Sequence, residues 1–225
     1  MNFLENYFPN VLLLQDEFIQ STYQTLYMVL ISAAFAGIIG VIFGVTLVVT
    51  DQGGILQNSK VFNFLDKSIN IFRSIPFIIM LALIAPFTRF IVGTSIGTTA
   101  AIVPLIVGTV PFFARQIQNA LLEVDKGIIE AAISMGSTPI EIIVHVYLKE
   151  GLAGIIRVSA LTMINLIGLS AMAGVVGGGG LGNLAIARGY NRMQNDVTLV
   201  ATVIILILVF ISQEVGNYFI KKITH

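Results

Sequence analysis

Few side chains of this 225-residue chain could carry out chemistry by themselves. The sequence has no cysteine and two histidines, His145 and His225, so it offers no thiol nucleophile, no thiolate ligand and no histidine cluster for a metal ion. A Ser-His-acid triad needs its members side by side, and the long apolar stretches contain neither histidine nor acid. We therefore predict no catalytic residue and no metal site.

The sequence also lacks a nucleotide-binding motif in a suitable context. The glycine-rich run at 177–182 matches G-x-G-x-x-G, but a dinucleotide site needs this motif between a strand and a helix of a soluble unit. The Lys67-Ser68 pair follows Asp66, where a phosphate-binding loop requires glycine. We expect no cofactor in this chain. The four consecutive glycines instead predict a break in a helix, and we favour packing or turning over gating as its purpose.

Composition indicates an integral membrane protein. Apolar residues make up 56% of the chain and charged residues 11%, whereas a soluble domain has about 25% charged residues. The net charge is zero, which argues against a nucleic-acid partner. A membrane-spanning helix needs about 20 apolar residues. We predict an all-α protein with five spans, at about 23–49, 69–88, 91–114, 158–180 and 196–214.

Around these spans we predict one transmembrane domain at 21–216. An acidic, amphipathic segment at 1–20 would lie against the outer membrane surface or form a partly ordered terminus, and a tail at 217–225 would lie in the cytoplasm. Small residues on one face of the first span predict close helix packing; they are Ala33, Gly37, Gly40 and Gly44. Prolines in the second and third spans predict bends or interruptions, for kinked packing or for a translocation pathway; they are Pro76, Pro86, Pro104 and Pro111.

Basic residues assign the two sides of the membrane. With the N-terminus outside, the inner segments hold nine Lys and Arg residues and the outer segments three, as the positive-inside rule requires. The C-terminus and the segment between the third and fourth spans are then cytoplasmic. The inner residues are Lys60, Lys67, Arg73, Arg115, Lys126, Lys149, Arg157, Lys221 and Lys222; the outer ones are Arg89, Arg188 and Arg192.

Polar residues inside the predicted spans are few. Asn165 is the main one, with Ser170 on a nearby turn and Met163 beside it. We interpret Asn165 either as an interhelical hydrogen-bonding residue or as a contact for a translocated solute, and we take Met163, Asn165 and Ser170 as candidate pathway residues. Ion-coupled carriers usually place an acid or a histidine at mid-membrane, and none is present. Uphill transport would therefore need a partner that supplies energy.

The cytoplasmic region at 125–149 is predicted to form two short helices. Asp125 can cap the first, Gly136 can end it in a left-handed conformation, and Thr138 with Glu141 forms a capping box for the second. Both helices carry apolar stripes. A surface of Glu130 beside two alanines suits insertion into a partner's groove; the alternative is a helix pair that only covers its own membrane domain. The stripes are Ile128, Ile129, Ala132, Ile133 and Ile140, Ile143, Val144, Tyr147.

The spacing of this region resembles the EAA loop of permease subunits of bacterial ABC importers. Glu130-Ala131-Ala132 is followed, after three residues, by Gly136. The family pattern ends in a proline, which Lys149 replaces here, so we expect the second helix to continue without a break. Further blocks are similar to methionine-importing permeases; they lie at 70–77, 92–97, 101–105, 170–172 and 177–182.

The resemblance implies a type I ABC importer transmembrane fold with a cytoplasmic coupling helix, in a bacterial inner or plasma membrane. The chain would be a permease that moves methionine, or a related amino acid or short peptide, into the cytoplasm. It would act as a homodimer with two ABC ATPase subunits, which bind the ATP and Mg²⁺, and with an extracytoplasmic substrate-binding protein. Glu130, Ala131, Ala132 and Gly136 carry over to the ATPase-docking role. The alternative function, motivated by the prolines and Asn165, is an ATP-independent channel or an ion-coupled carrier.

Overall fold

A computed structural model describes residues 7–223, and every regular element within them is a helix. This confirms the predicted all-α class. Four helices are long and apolar enough to cross a membrane, and a broken pair counts as a fifth span if its two helices are taken together. The four are Gln15–Thr50, Thr98–Leu122, Leu152–Gly178 and Asn195–Ile223, and the pair is Ser59–Ser74 with Phe77–Val92.

The α-helices are numbered here in chain order. They are α1 (Pro9–Leu13), α2 (Gln15–Thr50), α3 (Ser59–Ser74), α4 (Phe77–Val92), α5 (Thr98–Leu122), α6 (Lys126–Ser134), α7 (Pro139–Glu141), α8 (Leu148–Glu150), α9 (Leu152–Ala173), α10 (Gly180–Asn183) and α11 (Asn195–Ile223). Short π-helical segments occupy Ile142–Tyr147, Gly174–Gly178 and Leu184–Gly189, and a 3-10 turn occupies Tyr190–Arg192.

Several helix ends differ from the predicted span limits. Helix α2 begins at 15 and therefore includes part of the predicted segment at 1–20, whose residues 1–6 lie outside the described part of the chain. Helix α11 continues to Ile223 and includes most of the predicted tail. Among the four prolines, Pro76 lies at the break between α3 and α4, whereas helices α4 and α5 continue through the other three. Proline inside an apolar helix thus did not interrupt it here.

The chain divides into two compact units. Helix α3 belongs to the second unit and α4 to the first, while α2, α5, α9 and α11 each contribute one part to each unit. The first unit consists of residues up to Ala34, Pro76–Val107 and Met163–Ser212; the second consists of Phe35–Ile75, Gly108–Thr162 and the residues from Gln213 onward.

Close contact between α2 and α5 organises the second unit. A Cβ atom on Gly44 would lie 2.6 Å from the Ile117 side chain and 2.7 Å from the backbone oxygen of Ala114, so only glycine permits this approach. Gly40 meets Phe113 in the same way, at 2.6 Å. A Cβ atom on Gly37 would meet nothing within 4 Å among the described residues. The predicted small-residue face is therefore confirmed for Gly40 and Gly44, whereas Gly37 makes no close helix contact within the described chain.

A charged cluster joins α3 to α5 in the second unit. The guanidinium of Arg115 donates to Asp66 at 2.5 Å, to Gln118 at 2.6 Å and to Asn70 at 3.2 Å. The sequence placed Arg115 beyond the inner end of the third span, but α5 continues to Leu122 and contains it. An unpaired charge in that position would be costly, and the Asp66 carboxylate supplies a counter-charge.

The glycine run interrupts the helix that follows Met163 in the first unit. Backbone φ angles of +94° at Gly177 and +78° at Gly179 end one helix, and α10 then begins at Gly180, whose φ is +75°, which confirms the predicted break. The free backbone donors of Gly180 and Leu181 bond to the side chains of α2, at 2.8 Å to Gln24 and 2.9 Å to Thr25. The backbone N–H of Gly97 also donates to the carbonyl of Gly177 at 2.9 Å, so hydrogen bonds hold the break on both sides.

We expect Gly44→Ala to destabilise the protein and Gly37→Ala not to. The new methyl group at 44 would overlap Ile117 and the backbone of Ala114, an overpacking that costs about 1–3 kcal/mol. At 37 the same change meets open space and gains helix propensity. Thermal unfolding of the detergent-solubilised protein checks this. Equal melting temperatures for the two variants would contradict the packing described here.

Candidate functional site

Helix α6 is the predicted coupling helix, and local capping interactions determine where it begins and ends. Asp125 precedes it in an extended conformation, and its carboxylate accepts a hydrogen bond from the backbone of Gly127 at 2.6 Å. At the other end Gly136 adopts a φ of +83°, and its N–H donates to the carbonyl of Ile133 at 2.9 Å. Both predicted ends are confirmed, and the helix is fixed in length by its own sequence.

The second helix of the region begins with the predicted capping box. The backbone N–H of Thr138 donates to the Glu141 carboxylate at 2.7 Å, and the backbone of Glu141 donates to the Thr138 hydroxyl. Hydrogen bonds from the backbone and then the side chain of Thr138 lower the pKa of Glu141, with a smaller contribution from His145. Because that pKa is depressed, the box is present at neutral pH and is lost only as the pH falls through it.

The chain stays helical after this box. It passes from α7 through the π-helical segment into α8 and reaches Gly151 without an interruption at Lys149, which agrees with the expectation for a chain that lacks the family proline. We call the region from Asp125 to Glu150 the coupling hairpin.

One side of the coupling hairpin is buried in the second unit. Ala132, Ile142 and Tyr147 are 5%, 2% and 6% exposed. They form one apolar cluster with residues at the ends of α2 and α5, among them Val48 and Leu121. The hairpin is therefore a packed part of the unit. Interiors packed this closely transmit displacements between their elements.

The other side of the coupling hairpin is exposed and largely apolar. Met135 is 79% exposed and Ile140 74% exposed, and the carboxylate of Glu130 forms no ion pair within the described chain. Exposed apolar patches of this kind, with polar neighbours, mark interaction sites. We call this face the docking surface; it consists of Ile128, Glu130, Ala131, Ile133, Met135, Gly136 and Ile140.

The structure distributes the four predicted docking residues over both sides of the coupling hairpin. Glu130, Ala131 and Gly136 lie on the docking surface, whereas Ala132 is buried in the apolar cluster. Ala132 differs from the expectation because successive helical residues point about 100° apart, so neighbouring alanines face different partners. Met135 was missed by the sequence analysis; a long apolar side chain just before the turn at Gly136 is the signal that could have found it.

The three candidate pathway residues do not form one site. Ser170 is 0% exposed and its hydroxyl donates to Ile167 of its own helix at 2.7 Å. Met163 packs against the cluster of Val29, Leu166 and Ile167. Asn165 is half-buried, and its side chain makes no hydrogen bond within residues 7–223, so the interhelical bond that we considered does not form within this chain.

A cavity of about 250 Å³ lies elsewhere in the first unit. Its lining comes from three places: α4, the segment from Ser95 to Pro104, and the end of α9 with its π-helical continuation. The candidate pathway residues are not among the lining residues. Sequence analysis missed this cavity because its lining is mostly apolar and comes from three separated segments, which no local pattern brings together.

Comparison with known proteins connects these features to a family. A family model described as "Binding-protein-dependent transport system inner membrane component" matches residues 38–225. The methionine import system permease protein MetP of Bacillus subtilis is 50% identical over 213 residues, which cover 95% of each chain. The D-methionine transport system permease protein MetI of Escherichia coli K12 is 49% identical over 156 residues, covering 69% of this chain and 72% of the relative.

Solved structures agree with this relationship. A chain of the MetNI methionine ABC transporter in an inward-facing conformation superposes with a TM-score of 0.92 at 44% identity, covering 94% of this chain and 98% of that one. A chain of an amino acid ABC transporter solved with histidines has a TM-score of 0.79 at 18% identity, covering 96% and 98%; at that identity it supports the fold alone. With four or five candidate spans in its described residues and a family match over most of its length, this chain belongs to the inner membrane components of binding-protein-dependent transport systems.

Proposed function

We propose that this chain is the membrane permease subunit of an ATP-driven importer and that methionine is its substrate. The observation that carries the proposal is the coupling hairpin, whose outer face is apolar and exposed while its inner face is packed into the second unit. A membrane protein without a nucleotide site of its own needs such a surface to bind an ATPase whose conformational changes drive transport. The names of relatives that are about half identical over most of the chain support methionine.

The proposed assembly is a homodimer of this chain with two ATPase subunits, which hold the ATP and Mg²⁺, and a substrate-binding protein outside the membrane. Support comes from the related methionine ABC transporter and from symmetry, because closed two-fold assemblies are the commonest oligomers. The distribution of nine basic residues against three supports an N-terminus outside and a C-terminus in the cytoplasm. The docking surface then faces the ATPase.

In the proposed mechanism, packed side chains transmit the movement of the ATPase subunits to the membrane helices. ATP binding closes the ATPase dimer and displaces the docking surfaces of the two permease subunits. Because Ala132, Ile142 and Tyr147 pack against α2 and α5, a displaced hairpin must move these helices rather than bend away from them. The two permease subunits then rotate to open outward, and hydrolysis returns them to the inward-open state. Glu130 is the one charge of the docking surface, which suits it to fix the orientation of the hairpin in the partner's groove.

We expect ATP-dependent methionine uptake by the complete complex and none by this chain alone. Proteoliposomes are prepared with the permease and its ATPase in the membrane and with the binding protein outside. They should accumulate radiolabelled methionine when ATP is present inside the vesicles, where the ATPase faces it. Vesicles with the permease alone should show background counts, since the chain has no energy source of its own. Methionine flux through the purified permease without ATPase would contradict the proposal and favour a channel or carrier.

We expect Glu130→Lys to uncouple methionine uptake from ATP hydrolysis. Reversal of a charge in the centre of an interface costs about 2 kcal/mol or more, so uptake should fall about tenfold or further while the protein still folds in the membrane. Glu150→Lys makes the same charge change at an exposed position outside the docking surface and is the matched control. ATP-driven methionine uptake and ATPase activity are measured for both. Full uptake by Glu130→Lys would contradict the assigned role of the docking surface.

A further inference from the structure

We propose that the cavity in the first unit is the subsite that receives the uncharged side chain of the transported amino acid. This inference rests on the proposed function and adds a place for the substrate within this chain. We call the cavity the side-chain subsite. All of its lining residues belong to the first unit.

The side-chain subsite has a buried floor and an open rim. Ala100, Ala101 and Ala173 on the floor are 1%, 6% and 0% exposed. On the rim Ile96 and Val176 are 66% and 47% exposed. In the proposed site a solute reaches the floor from this rim and places its end between small side chains. This arrangement of a mostly apolar concavity with few polar groups is the usual one for small-molecule sites.

Irregular backbone forms part of the wall. Gly178 lines the subsite, and a Cβ atom there would lie 2.7 Å from the backbone oxygen of Ala173 and 3.1 Å from the Ala101 side chain, so no larger residue fits. The carbonyl of Gly177 accepts a hydrogen bond from Gly97 at 2.9 Å. Within a membrane, non-helical backbone is tolerated where it is buried in protein or lines a cavity, and the buried Gly178 lines one at this break.

The lining contains no ionisable side chain. Inside the subsite, a carboxylate or an ammonium group would lose its hydration without gaining a counter-charge, which is costly. The charged groups of an amino acid must therefore stay at the rim, and only an uncharged side chain can occupy the floor. Among solutes this favours amino acids with an apolar or weakly polar side chain over acidic and basic ones.

Two hydroxyl side chains line the subsite, Thr88 and Ser95, and neither makes a hydrogen bond within the described chain. Ser95 is exposed, whereas Thr88 is 2% exposed. Because the Thr88 hydroxyl oxygen is not among the fully buried unpartnered atoms of the described chain, it is open to the cavity and can donate to a ligand atom there. A thioether sulfur is a weak acceptor on a flexible, otherwise apolar chain. The hydroxyl of Thr88 thus distinguishes a thioether side chain from a hydrocarbon of the same length.

The test compares uptake of methionine with uptake of norleucine, in which a methylene group replaces the sulfur. The complete complex is reconstituted with one binding protein throughout, so any change in the ratio of the two rates comes from the permease. Thr88→Val removes the hydroxyl and keeps the shape. We expect it to lower the methionine-to-norleucine ratio about twofold, the low end of the effect of one lost hydrogen bond, because the sulfur is a weak acceptor. Thr202→Val, at an exposed position of α11 outside the subsite, is the matched control and should leave the ratio unchanged.

A second variant tests whether methionine uptake depends on the volume of the subsite. Ala85→Leu fills part of the side-chain subsite, and we expect it to reduce methionine uptake about tenfold or more, while Ala34→Leu, at an exposed position of α2, should not. A wild-type ratio in Thr88→Val, with normal uptake by Ala85→Leu, would overturn the subsite and leave the proposed function intact. Loss of the proposed function would be seen separately, as absence of methionine uptake by the unmodified complex.

Discussion

The burial of one side of the coupling hairpin is the constraint on which the rest of this structure depends. Ala132, Ile142 and Tyr147 enter the same apolar cluster as the ends of α2 and α5, and the capping interactions at Asp125 and Thr138 fix the two short helices that present them. A helix of nine residues is marginal in isolation. The packing therefore both stabilises α6 and prevents it from moving independently of the membrane helices.

This arrangement explains how a chain with so few reactive groups can take part in active transport. A partner must bind a surface of the chain, and a displacement of that surface must also move the membrane helices. The second unit provides both, since glycine at 44 brings α2 within backbone contact of α5 and the cluster around Arg115 adds α3 to the same packing. The first unit contains the interrupted helix and the cavity, where the solute is expected to meet the protein.

Local features were predictable from the sequence because local rules determine them. The ends of α6, the capping box at Thr138 and the break at the glycine run follow from side chains within a few residues of each other. The ion pair of Arg115 could not be foreseen, since Asp66 lies 49 residues away in the chain. The same applies to the cavity, whose three segments are joined only by the tertiary fold. Helical periodicity placed Ala132, but not Ala131, on the apolar stripe, while the family resemblance assigned both to docking; packing places Ala132 in the core.

The most direct test of the account uses a single cysteine in a chain that has none of its own. Ala131→Cys places a thiol on the docking surface, and a membrane-impermeant maleimide then reports which side of the membrane it faces and whether a partner covers it. We expect labelling only from the cytoplasmic side, and protection from labelling when the ATPase is bound. Labelling from the outer side, or equal labelling with and without the ATPase, would contradict the central role of the coupling hairpin.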